Sequence, residues 1–159
     1  MDTTTHVELV ADLRRLLRVR FLDPLEILLA DQADAVEPVR SRLEVNAEAW
    51  AAQLLDGDDA TATAAVVRLV AALYPGDTAF DPPHAWWGTP LGRAVASRSG
   101  HPSVESVPQA TAAAMLRISR QGVADLLARG KLERHSSGGV TSASIRRRLR
   151  GTHARRSHH

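Results

Sequence analysis

The chain has 159 residues, enough for one ordinary core or two small ones, and its 44% hydrophobic and 24% charged residues exclude an intrinsically disordered protein. It has no cysteine, which excludes disulfides and thiolate metal sites. It also has no apolar run of membrane-spanning length and no basic-then-apolar leader, so neither export nor membrane insertion is expected. Charge divides along the chain: residues 107–159 carry 11 Lys/Arg against 2 Asp/Glu, a net of +9, and residues 1–106 carry 9 against 16, a net of −7. An acidic body with a basic end is the asymmetry of a protein that sets one end against a polyanion, with nucleic acid the leading candidate. Aromatics make up only 4%, and repeated Ala and Leu favour helices over sheets. Lys131 is the single lysine beside nineteen arginines, which with the abundant Ala points to a GC-rich bacterial coding genome.

Val7, Val10, Leu13, Leu16 and Leu17 recur at helical spacing and predict a first helix over 6–21, with Thr5 placed to cap it. Asp23-Pro24 then reads as a cap followed by a helix-starting proline, opening a second apolar stretch through Leu25, Leu28 and Leu29. Pro38 begins another helix in the same way. Asn46 either lies within it or caps a separate segment carrying Trp50, Leu54 and Leu55. Asp56-Gly57-Asp58-Asp59 is a turn and cap cluster. After it, Val66, Leu69, Val70 and Leu73 form one more buried face, stopped by Pro75-Gly76. Residues 1–75 are therefore expected to form a helical domain of four or five helices, serving assembly or partner binding.

Residues 76–106 shift towards Pro, Gly, Ser and His and read as a connector, with a short helix starting at Thr89-Pro90 and ending at Gly100. Trp86 and Trp87 most simply cap the N-terminal core. The sharper reading makes them a docking or stacking plug.

The most specific pattern lies in residues 107–132. A helix from Pro108 to about Leu116 offers Ala112 and Ala113 where a second helix can approach closely, and Arg117-Ile118-Ser119 breaks it. Ser119 caps a second helix, Arg120 to Arg129, with Val123, Leu126 and Leu127 as its buried stripe and Gly130 at its end. The result is helix, tight turn, helix. Ala112, Ala113, Leu116, Ile118, Ser119, Arg120, Val123, Leu126, Leu127, Gly130, Lys131 and Leu132 together resemble the MerR-like, excisionase-type winged helix-turn-helix domain. That resemblance covers about residues 107–150 and implies a short β-hairpin wing after Gly130-Lys131-Leu132. Here the wing is supplied by Leu132 to His135, the turn Ser136-Ser137-Gly138-Gly139, and Val140, followed by a Ser-capped helix entering at Ile145. This stretch is shorter than is usual in the family and less basic, with Arg134 and His135 as its basic residues. Asp125 stands at an outward position that is often basic in relatives.

The fold expected is thus mainly α, with a C-terminal winged helix-turn-helix over 107–150 and a basic tail over 151–159. If the second helix enters a major groove, Arg120, Gln121 and Ala124 face base edges, where Arg matches guanine and Gln matches adenine. Ser119 and the first amides of that helix suit a phosphate. The resemblance adds Lys131 and Arg134 to the contact set, and Arg146, Arg147, Arg148 and Arg150, with Arg155 and Arg156, suit neutralisation of the DNA backbone. The plain alternative for that run is a solvated helix face and a frayed tail.

No catalytic constellation, phosphate-cradling loop or dinucleotide fingerprint is found. His6, His84, His101, His135, His153, His158 and His159 include no metal-spaced pair, and the tail histidines read first as solvating or as an expression remnant, so no metal and no cofactor is expected. The function expected is a cytoplasmic, sequence-specific regulator of transcription that binds double-stranded DNA as a homodimer and is associated with the nucleoid when bound. Two alternatives stand beside it. One is a DNA-binding antitoxin or excisionase whose acidic domain holds a protein partner, and the other is a protein-interaction module that does not bind DNA.

Overall fold

Asp2, not Thr5, starts the first helix. Its carboxylate accepts a hydrogen bond from the Thr4 amide at 3.1 Å, and α1 runs Thr3–Leu17. The computed structural model describes residues 2–156, with only the backbone of His153 and Arg156. Residues 157–159, with the tail histidines His158 and His159, lie outside the described residues. The chain divides between Pro75 and Gly76 into two units, each with its own core.

In the first unit the helix does not stop before Asp23-Pro24. It passes through a wider, π-type turn at Arg18–Leu22, where the Asp23 amide reaches back to the Arg18 carbonyl, and continues as α2, Asp23–Leu28. The wider turn has a physical cause: Pro24 lacks an N–H, and its ring would strike the carbonyl four residues earlier in a regular α-helix. A 3-10 segment, Ala30–Ala35, leads into α3. That helix, Glu37–Asp56, runs without a break through Asn46 and carries Pro38 in its first turn, where no amide is needed. Asp58 caps α4, Asp59–Leu73, accepting from the Thr61 amide at 2.8 Å.

α3 packs against both α1 and α4. The core joins Leu9, Leu13, Leu16 and Leu17 to Leu54, Val66, Leu69 and Leu73, while fully buried Ala47, Ala51 and Ala62 leave room for the helices to approach. Val7, expected in this core, is exposed because it lies about half a turn round the helix from Leu9, which takes its place. The second apolar stretch also differs from expectation: Ile27 and Leu28 are 77% and 79% exposed, and Leu25 and Leu29 are half-buried. The Arg20 guanidinium closes the end of α4, donating to the Leu73 carbonyl and lying 4.5 Å from the centre of the Tyr74 ring.

The second unit contains a 3-10 turn (His84–Gly88), α5 (Pro90–Ser99), β1 (Ser106–Val107), α6 (Gln109–Leu116), α7 (Arg120–Ala128), β2 (Val140–Thr141) and α8 (Ser142–Arg156). β1 and β2 are antiparallel, with Ser106 opposite Thr141 and Val107 opposite Val140, and Arg134 forms a further antiparallel bridge to Val140. α5 packs along α8, and α6 packs on α7 and on the 3-10 turn. The core is Trp87, Leu91, Val95, Val107, Ala112, Met115, Val123, Leu132, Val140 and Ile145.

Residues 76–106 are therefore built into the second unit, where a connector was expected. Their aliphatic content is low, but one fully buried Trp87 supplies the apolar area of several smaller residues. Trp86 and Trp87 both belong to this unit, not to the N-terminal core. Trp87 meets Trp86 edge-on at 4.9 Å between ring centres and lies 5.4 Å from the His101 ring. The backbone of 151–156 continues α8, where a tail was expected. Among the described residues, no helix is long and apolar enough to cross a membrane.

Candidate nucleic-acid interface

The turn between α6 and α7 is set by two residues. Arg117 adopts a left-handed conformation (φ 59°, ψ 44°), and its amide caps α6 by donating to the Ala113 and Ala114 carbonyls. Ser119 is extended, and its hydroxyl accepts the Gly122 amide at 3.0 Å, which starts α7. Val123, fully buried, holds α7 to the unit, with half-buried Leu126 and Leu127 behind it. Gly122 faces Ile118, whose Cδ1 would lie 3.3 Å from an added Cβ.

This anchoring leaves the first turn of α7 outward. Ser119, Arg120 and Gln121 are exposed, and Ala124, one turn on, is half-buried. Arg120 has no ion pair among the described residues. Gln121 donates from its side-chain amide to Asp125 at 3.1 Å, a contact missed in the sequence although its i, i+4 spacing signals it. Asp125 thus holds the Gln121 side chain in one orientation.

Beyond α7, exposed Lys131 leads into the hairpin that carries Arg134. His135 and Gly139 close the hairpin through a 3.1 Å backbone bond, and positive φ angles at Gly138 (98°) and Gly139 (81°) let the chain reverse in so few residues. His135 Nδ1 accepts the Ser137 amide at 3.1 Å, and its Nε2 lies 3.7 Å from a Glu105 carboxylate oxygen. Glu105 was not singled out in the sequence; only the pairing of β1 with β2 brings it to the hairpin.

No protein-family model matches the chain, and neither does any curated protein or solved structure.

α8 carries the remaining cations, and its first turn is fastened on two sides. The Ser142 hydroxyl accepts the His101 amide at 2.7 Å, linking α8 to the end of α5. The Ser144 hydroxyl accepts the Glu133 amide at 3.1 Å and donates to the Thr141 carbonyl at 2.9 Å, linking α8 to the base of the hairpin. Both serines are buried; the sequence offered a serine as the cap of this helix, but the cap is Thr141, whose hydroxyl accepts the Ser144 amide at 3.3 Å. Burial lowers the pKa of His101, an effect opposed by the charge of Asp81, and its Nδ1 accepts the Ser103 amide at 3.2 Å, which suits the neutral ring.

The arginine run does not act as one block. Arg147 and Arg148 share a cleft of about 230 Å³ with Lys131 and Arg155, whereas half-buried Arg146 and Arg150 do not line it. Arg147 also pairs with Glu133 at 3.2 Å.

Proposed function

We propose that the second unit is a winged helix-turn-helix that binds double-stranded DNA. In this reading α7 lies in the major groove, the 133–141 hairpin is the wing, and the protein acts as a sequence-specific regulator. The observation that carries it is the exposure of Arg120 and Gln121 on the Ser119-capped first turn of α7, with Gln121 about half a turn round the helix from the fully buried Val123 and Arg120 at the free end of the helix. A helix held in this way presents its N-terminal side chains and free amides outward, the geometry by which recognition helices read base edges and hold a phosphate.

Arg120 suits guanine, and Gln121 suits adenine once it exchanges its bond to Asp125 for the base. Arg134 and Lys131 lie near the wing, where they add charge against the backbone. One small module buries limited surface on DNA, so useful selectivity calls for two copies or a partner. The first unit suits that role. Ile27 and Leu28 are large apolar side chains in solvent, and its many carboxylates favour a basic partner protein over DNA. An antitoxin or excisionase is a special case of the same assembly, and the cytoplasm is where it would act.

The test is selection of bound duplexes from a random pool by the full chain, followed by binding to the enriched sequence. Arg120→Ala with Gln121→Ala should erase most of the preference for that sequence, each bidentate pair accounting for ~1–3 kcal/mol of discrimination. Six to eight phosphate contacts give log K against log salt a slope of roughly −5 to −7. Undiminished selectivity in the double variant, or a flat salt response, refutes the reading.

A further inference from the structure

The cleft between Lys131 and α8 is separate from the first turn of α7: Ser119 precedes that nine-residue helix and Lys131 follows it, ~13 Å of helix apart. Arg147, Arg148, Gly151, Thr152 and Arg155 line one wall, and their spacing of three and four places them on a single stripe of α8. Lys131 supplies the facing cation. Four cationic side chains thus border an open cleft of about 230 Å³; among the described residues the acid paired with them is Glu133, whose pair with Arg147 is exposed on both sides and readily exchanged for another anion. Lys131, Arg148 and Arg155 have no acidic partner among the described residues. One carboxylate would leave most of this charge unanswered, so the site calls for a ligand with more than one negative group. Guanidinium forks match phosphoryl oxygens in particular.

Gly151 is the second observation. Glycine is the poorest helix former after proline, and nothing lies within 4 Å of where its Cβ would be, so no packed neighbour requires it. Its missing side chain leaves that wall of the cleft open between Arg148 and Arg155.

We propose that this cleft binds two neighbouring phosphoryl groups, supplied by the backbone of a nucleic-acid strand, as an anchor distinct from the base-reading turn of α7. The source of the phosphates rests on the duplex-binding reading above; the anion chemistry does not. The stripe from Arg147 to Arg155 is ~12 Å long, room for two neighbouring phosphates of one backbone to lie along it.

The full chain is tested in two arms. In the first, sodium pyrophosphate is titrated while the arginine Nε–Hε resonances are followed by NMR. Arg147, Arg148 and Arg155 should shift while Arg93, tied to the Gly88 carbonyl, stays in place. Gly151→Leu, which builds out from the α8 wall and keeps every charge, should abolish the shifts without lowering the melting temperature. In the second arm, Arg148→Gln with Arg155→Gln should make the salt slope for duplex binding shallower by roughly 2 and leave the order of preferred sequences unchanged. Resonances that pyrophosphate does not move overturn the site, even if the duplex still binds through α7. Pyrophosphate binding by a protein that binds no duplex assigns the cleft to free polyphosphates and refutes the strand as its occupant. An unchanged salt slope in the double variant also refutes the strand.

Discussion

Substitution at Ser119 separates what holds α7 together from what faces DNA. The Ser119 hydroxyl accepts the Gly122 amide at 3.0 Å and is exposed, so its removal touches the helix start and little else. Ser119→Ala should lower stability by about 1 kcal/mol, the usual cost of losing a cap, and should weaken DNA binding by no more than roughly fivefold through fraying of the first turn. Ser119→Asp keeps an acceptor for the same amide and gains ~0.3–1 kcal/mol from its charge at the positive end of the helix dipole, so its stability should equal or exceed that of the wild type. Against a phosphate the sign reverses. Two like charges ~4 Å apart repel by about 4 kcal/mol at the effective dielectric of a protein surface, before salt screens them. If only a third of that survives, the loss is about tenfold in affinity. Urea denaturation and fluorescence anisotropy on the selected duplex, at low and at physiological salt, read both quantities. A Ser119→Asp protein that folds as well as the wild type and binds equally tightly at low salt would refute the placement of this turn against the backbone.

Two further outcomes concern the support of α8. Gly100 has φ +66° and ψ −142°, and a Cβ there would fall 2.8 Å from the Ser142 carbonyl oxygen and closer still to its hydroxyl. Gly100→Ala should therefore cost about 3 kcal/mol from backbone strain and crowding together, read as a fall in the urea midpoint of tryptophan fluorescence in a Trp50→Phe background; a loss under ~1 kcal/mol contradicts this account. His101 has its pKa lowered from 6.5 by burial, so the unfolded chain takes up the proton first as pH falls. The stability this residue contributes is then present above about pH 6.5 and is lost progressively below it, until the native ring also protonates. Urea midpoints between pH 7.5 and 5 should fall in the wild type and fall less in His101→Gln; parallel losses would show that His101 is not the group responsible.

The helical character of the chain, the break at Pro75-Gly76 and the cap at Ser119 were legible because each depends on a local rule: apolar spacing, a missing amide, a hydroxyl three residues before a free N–H. The exposure of Gln121 was legible for the same reason, since it lies about half a turn from the buried Val123, and that of Arg120 comes from its place at the free end of the helix. Continuity across Asp23-Pro24 was not legible, because a π-type turn absorbs the proline and leaves no mark in residue type. Within residues 76–106 the helix from Thr89-Pro90 to Gly100 was legible, but the connector role was not the outcome, because a composition count weighs every residue equally, whereas burial weighs area, and Trp87 outweighs several of its polar neighbours.

What the sequence by itself determined is the set of groups that could meet a polyanion and the helix start that exposes Arg120 and Gln121. Only the tertiary structure decided which of those groups act together. Folding brought Lys131 into one cleft with Arg147, Arg148 and Arg155, left Arg146 and Arg150 out of its lining, and set Glu105 beside His135. The physical reason is range: a cap or an apolar stripe is fixed within one or two turns of chain, whereas a charged cleft depends on the packing of α5 against α8 and of β1 against β2, between residues more than thirty positions apart.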